Sequence, residues 1–217
     1  MAFKDLREFL QTLKLEGDLA RVSTPVDPEL EITEIYDRVV KKEGPALLFE
    51  TVKGSDMSLA INLFGSEKRM AMALGVKKLS HIAERIETLL DTRVPKSMWE
   101  KLWMLPKLLE LSAILPKTVS HGPCQEVVVH RGKGWMLSRL PVLRCWPKDG
   151  GKFITLPMVF TKDPVTGKRN VGMYRMHVYD DETTGMHWQI HKDGAEHFRR
   201  LTKGGRERLP VAVVIGS

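Results

Sequence analysis

Apolar positions recur at helical spacing through the first half of the chain and switch to strand-like runs in the second. Phe3, Leu6, Phe9, Leu10 and Leu13 define one face of a helix that Gly17 stops. Leu19–Thr24 follows as a short strand. Asp27-Pro28 predicts a second helix, with Asp27 as N-cap, Pro28 at the first helical position and Glu29 and Glu31 in the first turn. Ile32, Ile35, Val39 and Val40 form its apolar face, and Gly44-Pro45 ends it. Ala46–Glu50 and Met57–Asn62 read as strands around a Lys53–Asp56 turn. Ser66 caps a third helix that buries Met70, Ala71 and Leu74 and stops at Gly75. Ser80 starts a fourth that buries Ile82, Ile86, Leu89 and Leu90, and Trp99–Leu115 is helical with a break near Pro106.

The texture changes near Pro116, where β-type runs punctuated by Pro and Gly take over. Gln125–His130 reads as a strand, Lys133-Gly134 as a turn, and Leu140–Pro147 as a proline-punctuated connection. Thr155–Thr161 is a strand rich in β-branched and aromatic residues, and Asp163–Gly167 is a hairpin turn. Asn170–Tyr179 and Met186–His191 are further strands, followed by a helix over Gly194–Leu201 with Asp193 as its N-cap. Pro210–Ser217 reads as a buried strand, either a sheet edge or the last element of a fragment. A boundary within residues 112–122 divides an α/β N-terminal domain, residues 1–115, from an antiparallel β unit, residues 116–217.

Charge narrows the partners. The net charge of +7 is spread along the chain, with no basic run and no recognised nucleic-acid motif, which points to an anionic small ligand and away from nucleic acid. The two cysteines, Cys124 and Cys145, lack CxxC spacing and fit a reducing compartment. No secretory signal is evident and no apolar run approaches the about 18 residues that span a bilayer, so a cytoplasmic protein without a transmembrane segment is expected.

Chemistry concentrates in Asp163–Lys192, which holds His177, His187 and His191. Alternation along Met186–His191 puts Met186, Trp188 and Ile190 on one face and His187, Gln189 and His191 on the other. That second face is either the wet side of an antiparallel sheet or the wall of a site. Lys192 before a helix start assembles an anion site from a cation, free N–H groups and the helix dipole; alternatively Asp193 only caps the helix and Lys192 is solvated. Along Asn170–Tyr179, Asn170, Gly172, Tyr174 and Met176 share one face, and Val171, Met173, Arg175, His177 and Tyr179 the other. Arg175 in the company of Val171 and Met173 looks like a buried charge that needs an anionic partner. Gly172 is a candidate bulge that would turn Asn170 and Arg175 into one cavity. An Asn oxygen, an imidazole and a carboxylate would suit Mn²⁺ or Mg²⁺, but pattern alone identifies no carboxylate.

Several motifs, in order, carry a resemblance. They are Leu6-Arg7-Glu8-Phe9-Leu10, Pro25–Glu34, Gly44–Phe49, Asn62-Leu63-Phe64-Gly65, Pro123-Cys124-Gln125, Cys145-Trp146-Pro147 and, above all, Gly167–Arg175. The sequence resembles the UbiD family of prenylated-FMN-dependent decarboxylases over nearly the whole chain. The resemblance implies an α/β N-terminal domain followed by the start of an antiparallel β split-barrel flavin-binding domain, incomplete here. It implies non-oxidative, reversible decarboxylation of an aromatic or α,β-unsaturated carboxylic acid on prenylated FMN, with Mn²⁺ and also K⁺ as cations. A flavin prenyltransferase would supply the cofactor and the protein would be a homo-oligomer. By this resemblance Asn170 and His191 bind the metal, Met173, Tyr174 and Arg175 contact the flavin, and His187, Trp188 and Gln189 form a second contact segment. Lys192 lies near the phosphate, Thr155 belongs to the flavin pocket, and Arg175 serves catalysis beside the substrate carboxylate. Family members are considerably longer than 217 residues. The resemblance therefore implies an N-terminal portion, inactive alone, because Glu182, Glu196 and Glu207 do not match the family's metal-binding or proton-handling acids. A truncated, non-catalytic flavin- or phosphate-binding subunit is the alternative, and an unrelated β-barrel flavin oxidoreductase a third.

Overall fold

Asp5 turns the chain into its first helix. Its carboxylate accepts from the Glu8 amide at 2.9 Å, and α1 (Leu6–Leu15) follows with Phe9 and Leu13 buried. The computed structural model describes residues 3–90, 116–130, 132, 134 and 136–216; the expected Trp99–Leu115 helix, Lys133 and Ser217 lie outside them. Gly17, at φ +70°, leads into β1 (Leu19–Val22). β1 pairs in parallel with β2 (Ala46–Phe49), and α2 (Glu31–Val40) is the crossover between them. β3 (Leu59–Ile61) joins β2 antiparallel. Alternation along β2 sends Ala46 toward Phe9 and Leu13 on one face, and Leu47 and Phe49 toward Val26, Ile32 and Val52 on the other. Helices thus cover both faces of this sheet, and burying a side chain such as Phe49 contributes about 1.5–3 kcal/mol.

The start of α2 differs from the expectation. The helix begins at Glu31, not at Pro28, and Leu30 precedes it at φ +69°. The reason is tertiary. Asp27 closes a local turn by accepting from the Glu29 amide at 2.8 Å, while Pro28 and Leu30 pair with residue 144: the Arg144 amide donates to the Pro28 carbonyl and the Leu30 amide to the Arg144 carbonyl. The Arg144 guanidinium then reaches Glu29 at 2.7 Å, and Leu143 packs on the core beside Val26 and Phe49. Ser55 donates to the Arg139 carbonyl at 2.6 Å. Residues 139–144 therefore strap the second half of the chain to the first.

Ser66 caps α3 (Glu67–Ala73) as expected, accepting from the Arg69 amide. Arg69 is buried, with Nη1 2.7 Å from Asp18 Oδ1 and Nη2 donating to the Gly44 carbonyl. α4 spans Ser80–Leu90. Leu74, Ile86 and Leu90, expected inside, are exposed: their periodicity defines a face that no described element covers.

The second half contains two antiparallel sheets. β4 (Lys152–Ile154), β7 (Met176–Val178) and β8 (Thr184–Met186) lie in the order β4-β7-β8. β5 (Met158–Lys162), β6 (Arg169–Met173) and β9 (Ala212–Val214) lie in the order β6-β5-β9, with α5 (Asp193–Lys203) packed on β5 and β6. The strand expected over Thr155–Thr161 starts only at Met158: β4 ends at Ile154, Pro157 cannot donate to a ladder, and the chain changes sheets across residues 155–157. Asn170–Tyr179 likewise breaks at Tyr174-Arg175, between β6 and β7. Gln125–His130 is not a strand: Pro123–Gln125 makes a 3₁₀ turn, closed by the Gly122 amide on Gln125 Oε1, and Val127, Val128 and Val129 are exposed without a ladder partner among the described residues. The last strand is Ala212–Val214 alone and is only partly buried. No helix among the described residues is long and apolar enough to cross a membrane.

Candidate functional site

Two carboxylate-centred turns fix the hairpins that carry the site. Asp163 accepts from the Val165 amide at 2.9 Å, the Thr166 hydroxyl at 2.8 Å and Arg200 of α5 at 2.7 Å. The Val165 N–H, then Thr166 and Arg200, hold its carboxyl well below the ordinary range, at about 2. Asp180 repeats the device between β7 and β8, lowered chiefly by the Thr183 hydroxyl at 2.6 Å, with the Glu182 and Thr183 amides adding to it. α5 is held against β5 by Thr161 Oγ1 and His197 Nδ1, 2.9 Å apart in the interior.

The N-terminus of α5 is pinned by Tyr174. Its hydroxyl accepts from the Gly194 amide at 3.2 Å, and its ring lies over Gly172, where a Cβ would come within 2.4 Å. Gly172 keeps its regular pairing with Val159, so it is not the expected bulge; it is small because Tyr174 folds back across it. Trp188 stands edge-on to Tyr174 at 6.3 Å and packs on Phe198 at 6.0 Å. Its Nε1 is buried with no hydrogen-bond partner among the described residues.

The parity read from the sequence holds, but the burial assigned to it is reversed. Tyr174 and Met176 are buried, whereas Val171, Met173 and Arg175 are exposed. Arg175 is therefore not a buried charge; its guanidinium lies 4.6 Å over the Phe153 ring. Residues 187–192 are likewise not a strand. β8 stops at Met186, the His187 amide donates to the Arg175 carbonyl, and the chain loops to α5, leaving Ile190 83% exposed. Lys192, not Asp193, is the N-cap residue, and Asp193 is the first helical one.

This loop and the break between β6 and β7 enclose a cleft of about 350 Å³ lined by Met173, Tyr174, Arg175, His187, Gln189 and Lys192. Six of the residues singled out in the sequence thus share one cavity. Among the described residues neither Arg175 nor Lys192 has an acidic partner, so the cleft carries uncompensated positive charge at a helix N-terminus. Trp188 packs behind it against Tyr174. Thr155 is exposed in the link between β4 and β5, Asn170 is half-buried opposite Thr161 on β6, and His191 is exposed in the turn before α5; none of the three lines the cleft. No group of three His, Cys, Asp or Glu side chains that could hold a metal ion occurs among the described residues.

A second, smaller cleft of about 240 Å³ shares Arg175 and His187 with the first and adds Phe153, His177, Tyr179, Gly185 and Met186. Phe153 was not singled out in the sequence. The available signal was the common face of Arg175, His177 and Tyr179; the strand opposite, with Phe153 paired to His177, could not be assigned without the register.

Comparisons with known proteins agree in family. The 3-octaprenyl-4-hydroxybenzoate carboxy-lyase N-terminal domain matches residues 10–89, and the 3-octaprenyl-4-hydroxybenzoate carboxy-lyase Rift-related domain matches residues 117–217. An uncharacterized protein of Archaeoglobus fulgidus is 50% identical over 216 residues, which are 100% of this chain and 44% of that protein. The structure of the vanillic acid decarboxylase of Sedimentibacter hydroxybenzoicus in closed form superposes with a TM-score of 0.78 at 30% identity, over 99% of this chain and 43% of that one. An evolved dimeric form of the UbiD-class enzyme HmfF from Pelotomaculum thermopropionicum, in complex with prFMN, gives 0.78 at 26% identity, over 99% and 44%. The chain spans less than half the length of the relatives it matches, and it belongs to the UbiD family.

Proposed function

We propose that this chain forms the flavin-facing wall of a prenylated-FMN-dependent carboxy-lyase that decarboxylates an aromatic or α,β-unsaturated carboxylic acid, non-oxidatively and reversibly. The observation that carries the reading is the cleft that brings Met173, Tyr174, Arg175, His187, Gln189 and Lys192 together, with no acidic partner for Arg175 or Lys192 among the described residues. Those residues fit a flavin mononucleotide: Lys192 at the start of α5 meets a phosphate, and Met173 and the back-folded Tyr174 give an apolar face for a ring system. Thr155 and Trp188 would flank the same flavin. Prenylated FMN, when bound, supplies the electron sink that lets CO₂ depart. The chain's own work is positional: Arg175 holds the substrate carboxylate, and the Tyr174–Gly194 hydrogen bond keeps the Lys192 loop in place.

Asn170 and His191 are proposed to contribute to a manganese site, with potassium as a further cation. The described residues gather no metal centre by themselves. The two antiparallel sheets are proposed as the beginning of a split barrel, residues 116–217, after an α/β domain over residues 1–115. The assembled protein is proposed as a cytoplasmic homo-oligomer supplied by a flavin prenyltransferase. Because the chain covers about 44% of its relatives' length, it supplies only part of the site and is expected to be inactive alone. A truncated, non-catalytic flavin- or phosphate-binding subunit or scaffold is the second reading, which the same basic cleft would serve.

The test is the complete protein co-expressed with a flavin prenyltransferase. Bound flavin absorbance together with exchange of labelled CO₂ into an aromatic acid supports the enzyme; bound flavin without exchange favours the subunit; no bound flavin sinks both. Turnover by the 217-residue chain alone would overturn the partial-site statement.

A further inference from the structure

Phe153 is the middle residue of β4, the outer strand of its sheet, and it is held from both sides. On one side it is in register with His177 of β7. On the other, its amide donates to the Leu143 carbonyl at 3.1 Å. Leu143 packs on the core cluster of Val26, Ile32 and Phe49, and the next residue, Arg144, bridges Pro28 and Leu30. The backbone of Phe153 is therefore fixed relative to the interior of the first half. Its ring is fixed as well. His177 stacks on it at 4.5 Å, with 25° between the planes. Gly151 leaves His177 the room to lie there, since a Cβ at Gly151 would come within 2.6 Å of His177 Nε2.

Arg175 depends on that ring. The register that pairs Phe153 with His177 makes Arg175 its diagonal neighbour, a separation that long and aromatic side chains span. The guanidinium lies 4.6 Å over the Phe153 ring. The Arg175 backbone is pinned from the opposite strand, its carbonyl accepting from the His187 amide at 3.0 Å. Among the described residues the guanidinium has no hydrogen bond and no acidic partner. An arginine side chain carries large rotamer freedom, and the negative face of an aromatic ring selects one pose from it.

We propose that Phe153 is a positioning residue: its ring sets the pose of the Arg175 guanidinium, which lines both clefts, and through Leu143 it ties that pose to the first half of the chain. What Arg175 then does rests on the decarboxylase reading; how it is held does not.

The test uses the complete protein. In the cofactor-free form, the Nε–H and δ-methylene resonances of Arg175 should lie upfield of the ordinary arginine range, because the ring current of Phe153 shields groups above its face. Phe153→Leu and Phe153→Met, apolar but without a π face, should return them to that range, and Phe153→Tyr should keep the shift. In the protein co-expressed with a flavin prenyltransferase, Phe153→Leu should lower exchange of labelled CO₂ about twofold to fivefold, the range of one exposed cation–π contact. Phe153→Tyr should restore it, with retained flavin the same in all variants. Placed on Arg175→Ala, Phe153→Leu should lower exchange no further. Unshifted Arg175 resonances in the parent, or a shift that survives both apolar substitutions, overturns the pose. A lost shift with undiminished exchange, or an equal loss on the Arg175→Ala background, overturns the positioning role, since a merely structural ring would act without Arg175. No exchange by the parent protein overturns the decarboxylase reading instead, and the resonances still decide the pose.

Discussion

The sheet β1-β2-β3 and the sheets of the second half are built to opposite specifications. In the first, Leu13, Ile32, Phe49 and Val52 are almost wholly removed from water, and the buried Arg69 is answered by Asp18 and the Gly44 carbonyl. In the second, Val171 and Met173 face outward, and Arg175 and Lys192 have no counter-charge among the described residues. A half that closes over its apolar side chains is a scaffold; a half that turns cations and apolar side chains outward offers a seat for something anionic and flat.

That contrast is broken most severely by exchanging the roles. Phe49→Ala should cost the chain about 3–5 kcal/mol in denaturant unfolding, because Phe49 is fully enclosed and its site cannot collapse. Met173→Ala, on the exposed face of β6, should change stability by less than about 0.5 kcal/mol. Comparable losses would mean that Met173 is packed and does not lie on an exposed face.

Arg175→Ala addresses the other side of the contrast. In the complete, flavin-loaded protein it should lower decarboxylation by roughly 10²–10³-fold, the cost of removing one preorganised charged donor, with flavin retention and melting temperature near those of the parent. Undiminished turnover would remove Arg175 from the site.

Asp163 offers a smaller effect with a defined sign. Its folded pKa of about 2 lies below the ordinary 3.8, so the ionised carboxylate favours the fold. That contribution is fully present above pH 3.8 and is lost as pH falls through about 2. Asp163→Asn should therefore flatten the decline in melting temperature across that window, and an unchanged slope would deny Asp163 its part in holding the hairpin to α5.

The sequence was legible where one element answers to local rules. Ser66 caps α3 as its position requires, and β2 alternates as written. It failed where tertiary pairing took over: Pro28 and Leu30 serve Arg144 instead of starting α2. Parity along Asn170–Tyr179 was readable, but which face meets water was not, because a strand that lines a cleft exposes the apolar side chains that pattern assigns to a core. His187, Gln189 and Lys192 meet Met173, Tyr174 and Arg175 at one cleft by a loop and not a strand, and Phe153 was invisible until its register with His177 was known.

The finest test of the contrast compares two lysines. Lys68 in the first half is paired with Glu16 at 3.2 Å, and Lys192 in the second, at the start of α5, has no acidic partner among the described residues. Lys192→Ala should weaken FMN binding to the complete protein about fivefold to tenfold at low salt, the range of one phosphate-directed charge. The difference should shrink as salt rises from 0.1 M toward 1 M and the screening length falls from about 10 Å to about 3 Å. Lys68→Ala should leave FMN binding unchanged at every salt concentration and cost at most about 1 kcal/mol of stability, as an exposed pair does. A salt-independent effect at Lys192 would show that its alkyl stem, and not its charge, faces the flavin. Equal effects of the two substitutions would mean that the positive charge of the cleft is no more directed at a ligand than the rest of the surface.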